Sequence, residues 1–148
     1  MSSAADDPRP SRRLAVLACM DARIDLYDLL GLKRGDAHII RNAGGLVSED
    51  ALRSLSASQR LLGTEEIVVV MHRDCGLDGA SDESFAAALA ADGADPGWRL
   101  GGFADLERTL RAGLDRLRSS PALIHRDRVR GLIYDPASGA LEDIESAS

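Results

Sequence analysis

The chain has 148 residues, a formal net charge of -6 and 3% aromatic residues, which fits one domain with an aliphatic core. Its arginines are interspersed with carboxylates and form no stripe that could track phosphates, so no nucleic-acid partner is expected. No apolar run approaches the ~20 residues of a membrane helix, and the polar segment 2–13, with Pro8 and Pro10, lacks the apolar centre of a secretory signal. The expectation is a cytoplasmic protein with no membrane partner.

Residues 1–12 read as a disordered or arm-like N-terminus and 13–148 as the folded domain. The short continuous apolar run 14–19 predicts a strand buried on both faces. Residues 24–32 carry Leu26, Leu29 and Leu30 at helical spacing and stop at Gly31. A second strand is predicted over 37–41, followed by a flexible loop, Asn42-Ala43-Gly44-Gly45. Ser48 then offers an N-cap, with Glu49 and Asp50 in the first turn. The helix it starts is expected to bury Leu52, Leu55, Leu61 and Leu62 and to stop near Gly63.

The segment 66–72 (Glu-Ile-Val-Val-Val-Met-His) is the clearest strand, and 73–79 a turn. Ser81 caps a predicted short helix over 82–91, and 92–102 is a Gly-rich loop holding Trp98. Leu106, Leu110, Leu114 and Leu117 define one face of an amphipathic helix over 104–119. Residues 129–134 form a fourth strand, 135–139 carry turn chemistry, and 140–144 return as an antiparallel edge strand. Strands alternating with helices predict an α/β domain with a mostly parallel sheet. In such sheets reactive groups gather at the carboxyl ends of strands. Cys19 ends the first predicted strand and His72 the third.

His72-x-x-Cys75 places an imidazole and a thiol on one turn. Alone the pattern is weak, since a hydrogen-bonded turn histidine beside a buried cysteine has the same appearance, and Cys19 and Cys75 also fit as small buried hydrophobes. Cys19, at the end of another strand, shifts the reading toward one ion shared by three donors. Two thiolates and an imidazole favour zinc over harder cations, and three protein ligands leave a fourth tetrahedral position open. His38 and His125 read as packed or surface residues. Asp21 and Arg23 can pair just past the first strand, either as a surface ion pair of little worth or as a dyad that orients water.

Cys-x-Asp-x-Arg followed about fifty residues later by His-x-x-Cys resembles the signature of β-carbonic anhydrases. So do Asp36-Ala37-His38, Arg41-Asn42-Ala43-Gly44-Gly45, Ser54-Leu55 within the helix, and 129–135 with Gly139 and Leu141. The similarity covers about 14–144 and is closest to compact prokaryotic members. It implies a four-stranded parallel sheet of order 2-1-3-4 with a fifth antiparallel edge strand, helices on both faces, and a homodimer or dimer of dimers with sites near the subunit interface. It implies one zinc ion per chain on Cys19, His72 and Cys75, with Asp21 and Arg23 as the catalytic dyad. In some members the matching aspartate, here Asp21, becomes a fourth ligand in a closed state.

The implied reaction is the reversible hydration of carbon dioxide to bicarbonate and a proton by zinc-bound hydroxide, with backbone amides of Asn42, Ala43, Gly44 and Gly45 lining the approach. A carbon disulfide or carbonyl sulfide hydrolase on the same scaffold is the alternative, and a silent zinc-binding regulatory domain a third reading. The segment before the first strand is shorter than the helical arm of many members, and the Ala-, Asp- and Gly-rich stretch between His72 and Trp98 has no assigned counterpart.

Overall fold

In a computed structural model of the chain, which describes residues 7–144, the apolar run Leu14–Cys19 is strand β1, buried at all six positions. A strand without polar alternation must be covered on both faces, and β1 is internal to a five-stranded sheet. The other strands are β2 (Ala37–Asn42), β3 (Glu66–His72), β4 (Val129–Tyr134) and β5 (Leu141–Ile144). They lie in the order β2-β1-β3-β4-β5. The first four are parallel, and β5 pairs antiparallel with β4. Both the expected strand order and the reversed edge strand are present.

Alternation along the strands sends successive side chains to opposite faces. Val69 and Met71 share a groove with Leu110 and Gly113 of helix α4 (Leu106–Ser119). Val68 and Leu132 share another with Leu29 and Leu30 of the short helix α1 (Leu26–Leu30). Leu106, Leu110, Leu114 and Leu117 are the buried residues of α4. Gly131 lets this helix approach the sheet, because a Cβ there would sit 2.7 Å from Leu114 Cδ1.

Helix α2 (Glu49–Leu62) starts on Ser48, whose side chain accepts from the Ala51 N–H, and ends at Gly63. Its buried face corrects the expected leucine set: Leu55 is fully buried, Leu52 and Leu62 are half-buried, but Leu61 is 78% exposed. Six residues at 3.6 per turn carry Leu61 about 240° round from Leu55, away from the sheet. Ser58 and Gln59 are buried instead, and both are satisfied, as buried polar groups must be. Ser58 Oγ lies 2.8 Å from Thr64 Oγ1 and 2.6 Å from His38 Nδ1. Gln59 donates to the His125 carbonyl and accepts from the Ile124 and His125 N–H groups.

The third helix, α3 (Asp82–Ala91), is capped by Ser81 as expected and buries none of its residues. At the N-terminus, residues 7–12 run beside the turn that precedes β2: the Ser11 N–H donates to Gly35 O at 2.8 Å and the Arg12 N–H to Asp36 O at 3.0 Å. Residues 1–6 of the expected arm lie outside the described residues, as do 145–148.

Candidate metal centre

Parallel β1 and β3 are hydrogen-bonded neighbours, so Cys19 and His72, at their carboxyl ends, come together across the sheet. Cys75 returns to them from the turn after β3. The ligand atoms of Cys19, His72 and Cys75 all lie within 4.8 Å of one another, and all three residues are buried. No other such group of three occurs among the described residues.

His72 Nδ1 is 2.8 Å from the Arg73 carbonyl oxygen. A carbonyl only accepts, so Nδ1 carries the proton and Nε2 keeps a free lone pair. That Nε2 is buried and has no hydrogen-bond partner. An unsatisfied buried lone pair facing two thiols is the donor set a soft or borderline cation satisfies, so the residues present fit a metal ion. Burial pushes the Cys75 thiol up, partly offset by the Leu77 N–H. A cation would therefore have to displace protons as it bound.

Asp21 and Arg23 sit at the mouth of this cluster. Arg23 Nε and its terminal NH2 donate to Asp21 Oδ1 and Oδ2 at 3.0 and 2.8 Å, and the Arg23 N–H donates to Oδ1 at 2.8 Å. These bonds, the side-chain ones first, hold the Asp21 carboxyl well below the usual carboxylate range. Asp21 Oδ2 is 3.7 Å from His72 Nε2, near the cluster but outside hydrogen-bond reach.

Within the loop 42–45, expected to be flexible, Ala43–Gly45 form a kinked 3-10 turn. The Asn42 side chain closes it in both directions, donating to Leu46 O at 2.9 Å and accepting from the Leu46 N–H at 3.0 Å. Gly45 adopts a φ of +66°, and a Cβ on it would come within 2.9 Å of Cys19 N and Val70 O. Only glycine lets this turn seat itself against the ends of β1 and β3. Leu46 and Leu77 flank Gly44.

The family model for carbonic anhydrase matches residues 14–92. Beta-carbonic anhydrase 1 of Mycobacterium tuberculosis is 42% identical over 136 residues, 91% of this chain and 83% of that protein. The chain belongs to the β-carbonic anhydrase family. The crystal structure of the carbonic anhydrase from Streptococcus mutans superposes with a TM-score of 0.86 at 39% identity, over 93% of this chain and 84% of that one. A carbon disulfide hydrolase of Acidithiobacillus thiooxidans is 47% identical over 87 residues, 57% of this chain and 44% of that protein. The β-carbonic anhydrase scaffold thus carries relatives named for two substrates.

In this β-carbonic anhydrase chain Cys19, Asp21, Arg23, His72 and Cys75, all expected from the sequence, come together in space. Arg41 and Asp74, for which no role was expected, join them. Arg41 donates to Cys19 O at 3.0 Å, Ile24 O at 3.1 Å and Asp21 O at 2.8 Å, pinning the segment that carries Cys19 and Asp21. Its signal was its position at the end of β2, beside β1, where a long cation can reach the carbonyls of the next loop. Asp74 contacts Arg23 from the turn between His72 and Cys75, and nothing in its local sequence marks that pairing.

Proposed function

We propose that this chain catalyses the reversible hydration of carbon dioxide to bicarbonate and a proton, using one zinc ion held by Cys19, His72 and Cys75. The observation that carries the reading is the convergence of the buried, unpartnered Nε2 of His72 with two cysteine sulfurs at the ends of adjacent strands. When bound, zinc supplies a Lewis acid that makes water nucleophilic near neutral pH. Asp21, kept ionised by Arg23, accepts a hydrogen bond from the attacking water and aims its lone pair at the substrate carbon. Arg23 holds that carboxylate in place through two parallel bonds, the geometry in which an arginine fixes orientation as well as charge. Leu46 and Leu77 supply an aliphatic wall suited to an uncharged substrate. The His38 ring is held by Ser58 Oγ and the Pro8 carbonyl oxygen, and the product proton leaves to buffer.

Stopped-flow carbon dioxide hydration on metal-quantified protein, with and without chelator, tests this. Activity that tracks zinc content is expected, and tightly bound zinc without turnover would mark a silent binding domain. The carbon disulfide hydrolase relative supports a second reading, hydrolysis of carbon disulfide or carbonyl sulfide by the same donor set. Parallel assays with carbon disulfide separate the two.

The working unit we propose is a homodimer or a dimer of dimers. Supporting this, β2 ends the sheet with its outer edge unpaired in one chain, Ile39 and Ile40 on it are half-buried, and Tyr27, beside them, is 44% exposed. Such an edge needs cover, and light scattering gives the mass. We place the protein in the cytoplasm, where a reducing poise keeps Cys19 and Cys75 as ligating thiols. Among the described residues no helix is long and apolar enough to cross a membrane.

A further inference from the structure

Arg23 is shared. Besides its two side-chain bonds to Asp21, its NH1 donates to Asp74 Oδ2 at 3.0 Å and its NH2 to the Asp74 carbonyl oxygen at 2.9 Å. The two partners belong to different segments: Asp21 lies two residues after Cys19, and Asp74 lies between His72 and Cys75. One guanidinium therefore spans the two pieces of chain that bring the metal donors together. Asp74 adopts a φ of +58°, a left-handed conformation uncommon outside glycine but favoured by Asp and Asn among the rest. With that turn, its carbonyl and its carboxylate both face Arg23.

An i, i+2 pair such as Asp21–Arg23 is local to one loop, which Arg41 holds from the β2 side but which neither that pair nor Arg41 ties to the turn between His72 and Cys75. The Arg23–Asp74 bonds supply that link. We infer that Asp74 is a positioning residue: by locking Arg23 from the metal turn, it sets where the Asp21 carboxylate stands relative to the donors and joins the two ligand-bearing segments. This rests on the metal site described under Proposed function and adds a determinant of metal retention to it. Asp74 is 86% exposed and Arg23 46% exposed at the side chain, so the tie is a surface ion pair in strength, and its leverage comes from where it sits.

The test measures zinc transfer to a chromophoric chelator from the full-length protein as wild type, Asp74→Asn, Asp74→Gly, Arg23→Gln and the double variant Asp74→Asn/Arg23→Gln. Asn and Gly both tolerate the left-handed turn, so these variants keep the backbone while losing the carboxylate. We expect zinc release to quicken about three- to fivefold in both Asp74 variants, the upper range of a surface pair, with kcat/KM falling by a similar factor. In the Arg23→Gln background, Asp74→Asn should add nothing, because its partner is gone. That loss of additivity shows that the two residues act through their contact, and a fall in kcat/KM that persists in fully zinc-loaded Asp74 variants is what a merely structural tie would not produce. If Arg23→Gln does not retain zinc, Arg23→Lys, which keeps the charge but not the fork, replaces it, and the Asp74 effect should then be reduced. Release rates in the Asp74 variants equal to wild type overturn the inference alone, as does an undiminished Asp74 effect in the Arg23 variant. A wild-type protein that takes up no zinc overturns this inference and the proposed function together, and shows itself before any variant is compared.

Discussion

The loops that carry Cys19, His72 and Cys75 are tied to one another across long separations in sequence, whereas the excursion that follows them, residues 77–103, hangs from a few contacts at its base. On the first side, Arg41 reaches three carbonyls of the 19–24 segment, Arg23 bridges to Asp74, and Gly45 wedges between the ends of β1 and β3. On the second, the Gly79 N–H bonds Phe103 O and the Phe103 N–H bonds Leu77 O, Asp82 holds Gly102 and Arg99, and α3 buries nothing. Polar ties thus join the segments that carry the proposed donors, whereas the adjacent surface helix, with none of its residues buried, is the slack side. Stability is distributed unevenly across most folds, and here the division falls immediately after Cys75.

The most severe way to break the ordered side is to remove a donor. Cys19→Ser replaces a soft thiolate with a hard, un-ionised hydroxyl. Loss of a ligand should exceed the about 10–100-fold cost of losing an outer partner of a metal site, so metal analysis should find most of the zinc gone and activity down with it. Full zinc and full turnover in that variant would remove Cys19 from the site. Next, Asp21→Asn keeps size and removes charge. We expect zinc content near wild type with kcat/KM reduced about 10–100-fold, and unchanged kinetics would take Asp21 out of the mechanism.

Arg41→Met sharpens the comparison, because Arg41 touches no donor atom. It removes charge-assisted bonds to Cys19 O, Ile24 O and Asp21 O. Since the side chain is exposed, we expect only about 1–2 kcal/mol of lost stability, roughly 3–6 °C in Tm for a chain of this size. Zinc release should quicken at the same time. A Tm loss without any change in zinc release would show that the clamp serves the fold and not the site.

Much of the ordered side was legible in the sequence for a definable reason. β1 and β3 are uninterrupted apolar runs, so their ends could be located within a residue, and Cys19 and His72 stand at those ends. Ser48, Ser81 and Gly63 announced helix boundaries through capping chemistry. Three other features were not legible, and each depends on a partner distant in the chain. Leu61 counted as core by composition, yet the sheet selected the face holding Leu55, Ser58 and Gln59, and the polar pair is tolerated only because Thr64, His38, Ile124 and His125 meet it. Loop 42–45 read as a loop shaped by its glycines alone, while the Asn42 side chain, bonded to Leu46, closes it into a turn. Asp74 gave no local signal because its partner, Arg23, is 51 residues away.

The smallest expected effect lies on the slack side and tests whether the boundary after Cys75 is real. Asp82 opens α3 and closes the loop back to its base: Oδ1 accepts from the Gly102 N–H at 2.7 Å, and Oδ2 from Arg99 Nε at 3.2 Å. The Gly102 N–H, more than Arg99, holds the Asp82 carboxyl below its ordinary range. A carboxylate whose folded pKa is depressed contributes its tie above the unfolded pKa, and loses it as pH falls through the lower, folded value. Loosening of the excursion is therefore expected only in acid, below the usual carboxylate range, and Asp82→Ala should reproduce it at neutral pH. Trp98 is the only tryptophan, is 60% exposed, and its ring centroid is 6.4 Å from that of Phe85 on α3, so its emission reports on the excursion. Asp82→Ala should shift Trp98 emission to the red and speed amide exchange at Gly102, with zinc content and Tm close to wild type. If zinc were lost as well, the excursion would be part of the metal site's support, and the two regions would have to be treated as one cooperative unit.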